Sequence, residues 1–139
     1  MLKREQLSKL LISIIDDDEL YKYALRRMLR KLEINDLGII EFSNGVEAID
    51  FYNRRIMEGG ELPDVIFLDI NMPLMDGFQF MIEYKGLKDK LDKIAEIYMC
   101  SSSINPNDLQ NAEEIEEITE YITKPFKFEK IHEILITVK

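Results

Sequence analysis

The sequence holds one cysteine, one histidine and no tryptophan among its 139 residues. A single cysteine excludes an intrachain disulfide and any cysteine-rich zinc site. A single histidine makes a Ser-His-Asp triad or a multi-histidine metal centre hard to build. Positive charge is also scarce. Eighteen Lys and Arg face 27 Asp and Glu, for a net charge of −9. A surface this acidic is repelled by phosphate backbones, which argues against general nucleic-acid binding. No apolar run approaches the length of a membrane span, and Met1-Leu2-Lys3-Arg4-Glu5-Gln6 leads into no signal-peptide core. A cytoplasmic location, with no membrane contact, is therefore the default expectation. Repeats and low-complexity tracts are absent too. The chain is long enough to bury a core, and 46% of it is hydrophobic, which excludes disorder as its main state.

Five short apolar runs are present. Leu10 to Ile15 is nearly all aliphatic, as suits a strand buried on both faces of a parallel sheet. Similar runs recur at Ile39–Phe42, Val65–Leu68, Ile97–Cys100 and Tyr121–Ile122. Between them the period changes to that of a helix. Tyr21, Ala24, Leu25, Met28, Leu29 and Leu32 form one stripe. Asn44-Gly45 offers a cap for a second helix through Val46, Ala48, Ile49, Phe51 and Tyr52. A third holds Phe78, Phe80, Met81, Ile82 and Tyr84. A fourth starts at Pro106-Asn107-Asp108 and carries Leu109, Ala112, Ile115 and, at its far end, Ile118. The last runs from Phe128 through Ile131, Ile134 and Leu135. Residues 1–9 are read as a short arm. This fivefold β-α alternation implies an α/β fold: a doubly wound parallel sheet with right-handed crossovers.

Ligands of such sheets bind beyond the carboxyl ends of the strands. Polar groups gather there. Asp16-Asp17-Asp18-Glu19 follows the first run, Asp69-Ile70-Asn71-Met72-Pro73 the third, Ser101-Ser102-Ser103 the fourth and Thr123-Lys124-Pro125-Phe126 the fifth. Asp16, Asp17 and Asp69 would crowd like charges unless a cation compensates. A hard divalent ion such as Mg²⁺ takes oxygen ligands of this kind. A carboxylate can also act as a nucleophile toward phosphorus, with Lys124 and a serine hydroxyl neutralising phosphoryl oxygens. Each group alone has a plainer reading: a helix-capping turn, a loop, an exposed lysine. Their convergence at one sheet edge outweighs those readings.

Ile14-Ile15-Asp16-Asp17-Asp18-Glu19, Phe67-Leu68-Asp69-Ile70-Asn71-Met72-Pro73-Leu74-Met75-Asp76-Gly77, Met99-Cys100-Ser101-Ser102 and Lys124-Pro125-Phe126 together resemble a response-regulator receiver domain of two-component signalling. The resemblance implies a flavodoxin-like (βα)5 fold over residues 10–139, with strand order 2-1-3-4-5. It implies Asp69 as the phosphoacceptor. Asp16 and Asp17 become the acidic pair around Mg²⁺, with Asp17 favoured as direct ligand, and Asp69 and the Asn71 backbone carbonyl complete the metal site. Lys124 pairs with the acceptor or its phosphoryl group, ahead of a cis peptide to Pro125. Ser101, with Ser102 as alternate, is the switch hydroxyl, and Tyr121 the switch aromatic. Asn71 and Ser103 fall where the family tunes dephosphorylation. The implied partners are a histidine kinase or histidine phosphotransfer protein and an output protein, with a monomer or a phosphorylation-dependent dimer as the state. No output domain is expected after the fifth helix, so the domain signals by protein contact or relays its phosphoryl group. It assists its own phosphorylation and dephosphorylation without being a conventional enzyme.

Two rivals remain. A haloacid-dehalogenase-type phosphatase also places an Asp nucleophile after a strand, but Asp69-Ile70-Asn71 lacks the second Asp two residues on. A phosphorylation-independent interaction domain is the other. The family's Gly-containing turn before the fifth strand is replaced here by the acidic segment Glu113–Glu120, read as part of the fourth helix. Arg26, Arg27, Arg30 and Lys31 form a basic face that is either solvated or a docking patch for an acidic partner. Cys100 reads as a core residue and His132 as a surface or half-buried helix residue.

Overall fold

The structure, a computed structural model, describes residues 9–102 and 105–138. Its strands are β1 (Leu10–Ile15), β2 (Leu37–Phe42), β3 (Val65–Asp69), β4 (Glu96–Ser101) and β5 (Ile118–Thr123). The helices between and after them are α1 (Glu19–Lys31), α2 (Gly45–Glu58), α3 (Gly77–Leu87), α4 (Pro106–Glu113) and α5 (Phe128–Thr137). A 3-10 turn at Lys88–Lys90 extends α3. All strand pairs are parallel, and the sheet order is β2-β1-β3-β4-β5. This is the doubly wound, flavodoxin-like architecture expected from the alternation and the resemblance.

The two-residue period of the strands divides the core into two layers. Ile12, Ile14, Val65, Phe67, Tyr98, Cys100 and Ile122 face Leu25 and Leu29 of α1 and Ile131, Ile134 and Leu135 of α5. Ile15, Ile66, Leu68, Ile97 and Met99 face Ala48, Ile49 and Tyr52 of α2, Phe80, Met81 and Tyr84 of α3, and Ala112 of α4. Central β3 is buried along its whole length, whereas edge strand β2 is only partly buried. That contrast explains why the β3 run is unbroken and the β2 run is interrupted by Gly38 and Glu41.

Helix starts follow local chemistry. Asp18 caps α1, its Oδ1 accepting from the Tyr21 N–H at 3.1 Å. Asn44 caps α2 in the same way, through the Glu47 N–H. Asp76 and Gln79 form a reciprocal capping box on α3. Gly77 is required by packing, because a Cβ there would lie 2.6 Å from the Asp69 carbonyl oxygen. The first turn of α3 can therefore sit directly against the end of β3.

Two sequence expectations are corrected. Ile118 opens β5 rather than closing α4, so only Glu113 of the Glu113–Glu120 segment is helical. Pairing with β4 decides this, as Ile97 aligns with Ile118 and Tyr98 with Glu120. Ile82 and Val46, read as apolar helix positions, are exposed on α3 and α2, and Ala24 is exposed on α1. The stripes of these helices are narrower than their apolar content suggests. Residues 1–8 of the expected arm, and Ser103, lie outside the described residues. Among the described residues no helix is long and apolar enough to cross a membrane.

Candidate functional site

β1 and β3 are neighbours, with Ile15 aligned to Leu68. The residues just beyond this pair are Asp16 and Asp69, so the register alone brings two carboxylates together. The strand alternation then aims them. Ile14 and Phe67 face the α1/α5 layer, and Asp16 and Asp69 follow them two positions on. Lys124 follows Ile122 of that layer by the same step. Its ammonium lies 2.6 Å from Asp16 Oδ2 and 3.1 Å from Asp69 Oδ1. The Lys124 N–H donates to the Ser101 carbonyl at 2.8 Å, which ties the loop after β5 to the end of β4. The Lys124–Pro125 peptide is cis.

Asp16 and Asp69 are buried and Asp17 is exposed. One carboxylate oxygen from each of the three lies within 4.8 Å of the others. Asp16 is held on both sides, as its Oδ1 accepts from the Asp18 N–H at 2.9 Å. The acidic triplet thus divides its work. Asp18 caps the helix, which is the plainer reading realised, and Asp16 and Asp17 join Asp69.

Three carboxylates cluster, and two of them, Asp16 and Asp69, share one lysine. Burial and then the Asp16 carboxylate push the Asp69 pKa up to about 6, against partial relief from Lys124. Burial alone would pull Lys124 down, but its hydrogen bonds and ion pairs with Asp16 and Asp69 hold it above the ordinary lysine value. A carboxylate cluster with this surplus of negative charge, offering only oxygen donors, fits a hard divalent cation. Asp16, Asp17 and Asp69 are the side chains placed to hold one. Asn71 lies in the β3–α3 loop, exposed, on the same edge.

Ser101 closes β4 and is buried, whereas Ser102 is just outside the strand and exposed. Ser101 follows Met99 by two and so belongs to the other layer of the sheet, as does half-buried Tyr121. The structure therefore separates the expected residues into a charged group over the α1/α5 layer and a hydroxyl–aromatic pair over the α2/α3/α4 layer. Cys100 is fully buried in the core, where desolvation pushes its thiol well above the ordinary range. His132 is half-buried on α5, stacked on Phe128.

Two residues at this edge were not singled out from sequence. Tyr21 read only as a stripe position, yet its ring lies under the Lys124 ammonium. Lys22 sits in a run of charged and polar residues that conceals it. It is buried, with its ammonium 2.8 Å from Glu19 and 3.3 Å from the Ser43 hydroxyl. The signal for Tyr21 was its place one turn after the acidic triplet, on the face turned to the sheet. The basic face of α1 has local partners as well: Arg26 pairs with Glu41 of β2, and Arg30 donates to the Leu37 carbonyl at 3.2 Å.

Comparison with known proteins agrees with this geometry. A family model for the response regulator receiver domain matches residues 12–136. The chemotaxis protein CheY of Halobacterium salinarum is 33% identical over 117 residues, covering 84% of this chain and 85% of that protein. The sensor histidine kinase CheAY of Helicobacter pylori is 30% identical over 122 residues, 88% of this chain but only 14% of that kinase. The chain thus spans a small part of one relative and most of another. In fold it is similar to the receiver domain of the sensor histidine kinase PA1611 from Pseudomonas aeruginosa, a structure with magnesium coordinated in its active-site cleft. The TM-score is 0.73 at 20% identity, covering 91% of this chain and 94% of that one.

Proposed function

The chain belongs to the response regulator receiver domain family, and from that premise we propose that Asp69 accepts a phosphoryl group from a histidine kinase or histidine phosphotransfer protein. The observation that carries this reading is the shared lysine. Asp69 ends β3 as a buried carboxylate, and Lys124 bridges it to Asp16 at 3.1 and 2.6 Å. In the transfer, an Asp69 carboxylate oxygen attacks phosphorus, the bond from phosphorus to the donor nitrogen breaks, and the imidazole leaves. Lys124 moves its charge from the carboxylates to a phosphoryl oxygen. Ser101, the hydroxyl favoured over Ser102 because it is buried at the strand end, donates to another. Asp16 and Asp17, with Asp69 and the Asn71 carbonyl, would hold Mg²⁺. When bound, that ion supplies the positive charge that lets carboxylates and phosphate approach one another. The magnesium in the PA1611 receiver is consistent with this assignment.

The output is a change of shape. A hydroxyl drawn toward the phosphoryl group makes a contact that exists in only one state, which is what a population shift requires. Ser101 pairs with Thr123 of β5, and Tyr121, itself in β5, packs in the layer that holds Ala112 of α4, so the α4–β5–α5 surface is the one that changes. The protein signals by contact or by relaying its phosphoryl group, and works in the cytoplasm as a monomer or a phosphorylation-dependent dimer.

The test is intact-mass spectrometry after incubation with acetyl phosphate and Mg²⁺. One phosphoryl adduct, lost in Asp69→Ala and with chelator, is expected. An adduct that persists in Asp69→Ala overturns the site. A folded, Mg²⁺-binding protein that takes no adduct from acetyl phosphate or from a phosphorylated histidine kinase supports the phosphorylation-independent reading instead.

A further inference from the structure

We infer that Tyr21 is a positioning residue for Lys124: its ring forms a wall of the ammonium's seat in addition to the two carboxylates. This inference rests on the phosphoacceptor reading for its consequence, but the contact itself does not. The Lys124 Nζ lies 3.9 Å from the Tyr21 ring centroid, within the range of a cation–π contact. The site is nearly closed to water, the Lys124 side chain being 11% exposed. Such contacts are strongest where the cation is desolvated.

Tyr21 is itself held in place from two directions. Its N–H donates to the Asp18 cap at the start of α1. Its ring meets the Phe126 ring edge-on, with centroids 5.8 Å apart. Phe126 is two residues beyond Lys124, so the loop bearing the lysine and the helix bearing the tyrosine are packed against each other. The hydroxyl is a contrasting case. Among the described residues it is buried without a hydrogen-bond partner, which is unfavourable for a polar group. The ring, not the hydroxyl, is therefore the part with a role.

The consequence concerns the transfer step. In the resting protein Asp16 and Asp69 hold the ammonium between them. When a cation binds Asp16 and a phosphoryl group occupies Asp69, both carboxylate contacts must change. The ring face is the contact that stays, and it keeps the ammonium pointed at Asp69 while its anionic partners are exchanged.

The experiment compares Tyr21→Phe, Tyr21→Leu and a protein carrying 3,4,5-trifluorophenylalanine at position 21. The last keeps the ring's shape and removes most of the negative charge on its face. Two readouts are used. The first is the NMR shift of the Lys124 ε-CH₂ protons in the unphosphorylated protein, which a ring at this distance shields. The second is the rate of adduct formation with acetyl phosphate and Mg²⁺. Tyr21→Phe should keep the shielding and the rate to within about twofold, and should be at least as stable as the parent. Tyr21→Leu should lose the shielding and slow the reaction by about threefold to tenfold. The trifluorinated ring should keep the packing and show the slower rate.

A trifluorinated protein that reacts as fast as Tyr21→Phe overturns the cation–π role, as does a Tyr21→Leu protein that reacts as fast as the parent. Equal slowing in Tyr21→Phe and Tyr21→Leu would put the role in the hydroxyl and overturn the inference. A parent protein that forms no adduct from acetyl phosphate or from a phosphorylated histidine kinase overturns the phosphoacceptor reading and the transfer role with it. Loss of Lys124 shielding in Tyr21→Leu would then still establish the contact alone.

Discussion

The two ends of the sheet each hold lysines among carboxylates, and they differ in how the charges balance. At the amino end, Asp64 accepts from the Leu11 N–H at 2.8 Å and pairs with its own Lys93 at 2.8 Å, and Glu61 pairs with its own Lys9. At the carboxyl end, Asp16 and Asp69 share Lys124, and the Asp17 carboxylate lies beside them with no cation of its own among the described residues. The amino end is a set of matched pairs that holds the β1 start against β3. The carboxyl end carries surplus negative charge around two buried carboxylates, which a proton on Asp69 or a further cation relieves. A structural ion pair and a site poised for chemistry are thus told apart by charge count and burial, not by residue type.

The largest expected effect breaks the carboxyl-end arrangement. Lys124→Ala should slow adduct formation from acetyl phosphate by about a hundredfold or more, as loss of a preorganised donor to a reacting oxygen does. Stopped-flow or timed mass spectrometry checks this, and a rate near that of the parent would remove Lys124 from the transfer.

The second effect concerns pH. Asp69 has a folded pKa of about 6, against 3.8 for the ordinary carboxyl. The folded chain therefore holds this proton more tightly than the unfolded chain. The associated stability is complete below about pH 4 and is lost as pH rises through about 6. At pH 7.5, without metal, the ionised carboxylate should cost the fold on the order of 2–3 kcal/mol. Asp69→Asn should then be more stable than the parent by about that much at pH 7.5, and nearly equal to it at pH 4. Urea denaturation in chelator at both pH values decides it, and an equal difference at both would contradict the burial argument.

Magnesium gives the third. At a concentration of ten to a hundred times its dissociation constant it should stabilise the parent by about 1.4–2.7 kcal/mol. Asp17→Asn should lose most of that gain, whereas Asp64→Asn at the opposite end should keep it. Thermal melts with and without Mg²⁺ measure both. The smallest effect sharpens the contrast from the other side. The Lys93 side chain is half exposed, so Lys93→Ala should cost about 1 kcal/mol or less and leave the adduct rate as it was.

Much of this site was legible in the chain itself. The strand runs marked where each polar group would emerge, and Asp16, Asp69 and Lys124 do meet at one edge. The division of labour within the acidic triplet was not legible, because Asp16, Asp17 and Asp18 are chemically alike. Only the geometry makes Asp18 a cap and Asp16 a site residue. The serine register was open for the same reason, and the end of β4 at Ser101 distinguishes the buried hydroxyl from the exposed one. Glu113–Glu120 misled because glutamate and isoleucine at helical spacing suit a helix locally, while pairing with β4 outweighed that preference. The place of Tyr21 one turn after the acidic triplet puts it near this edge, but its contact was not legible, because its partner stands 103 residues away in the chain.

The sequence by itself determined the alternation of strands and helices, the two-layer core and the edge at which the polar groups collect. These follow from hydrophobic period and turn chemistry, which act over a few residues. Only the tertiary structure decided which carboxylates share the lysine, how far burial raises Asp69, and what walls the ammonium. Those properties depend on register between strands and on desolvation, and both exist only once distant segments have packed together.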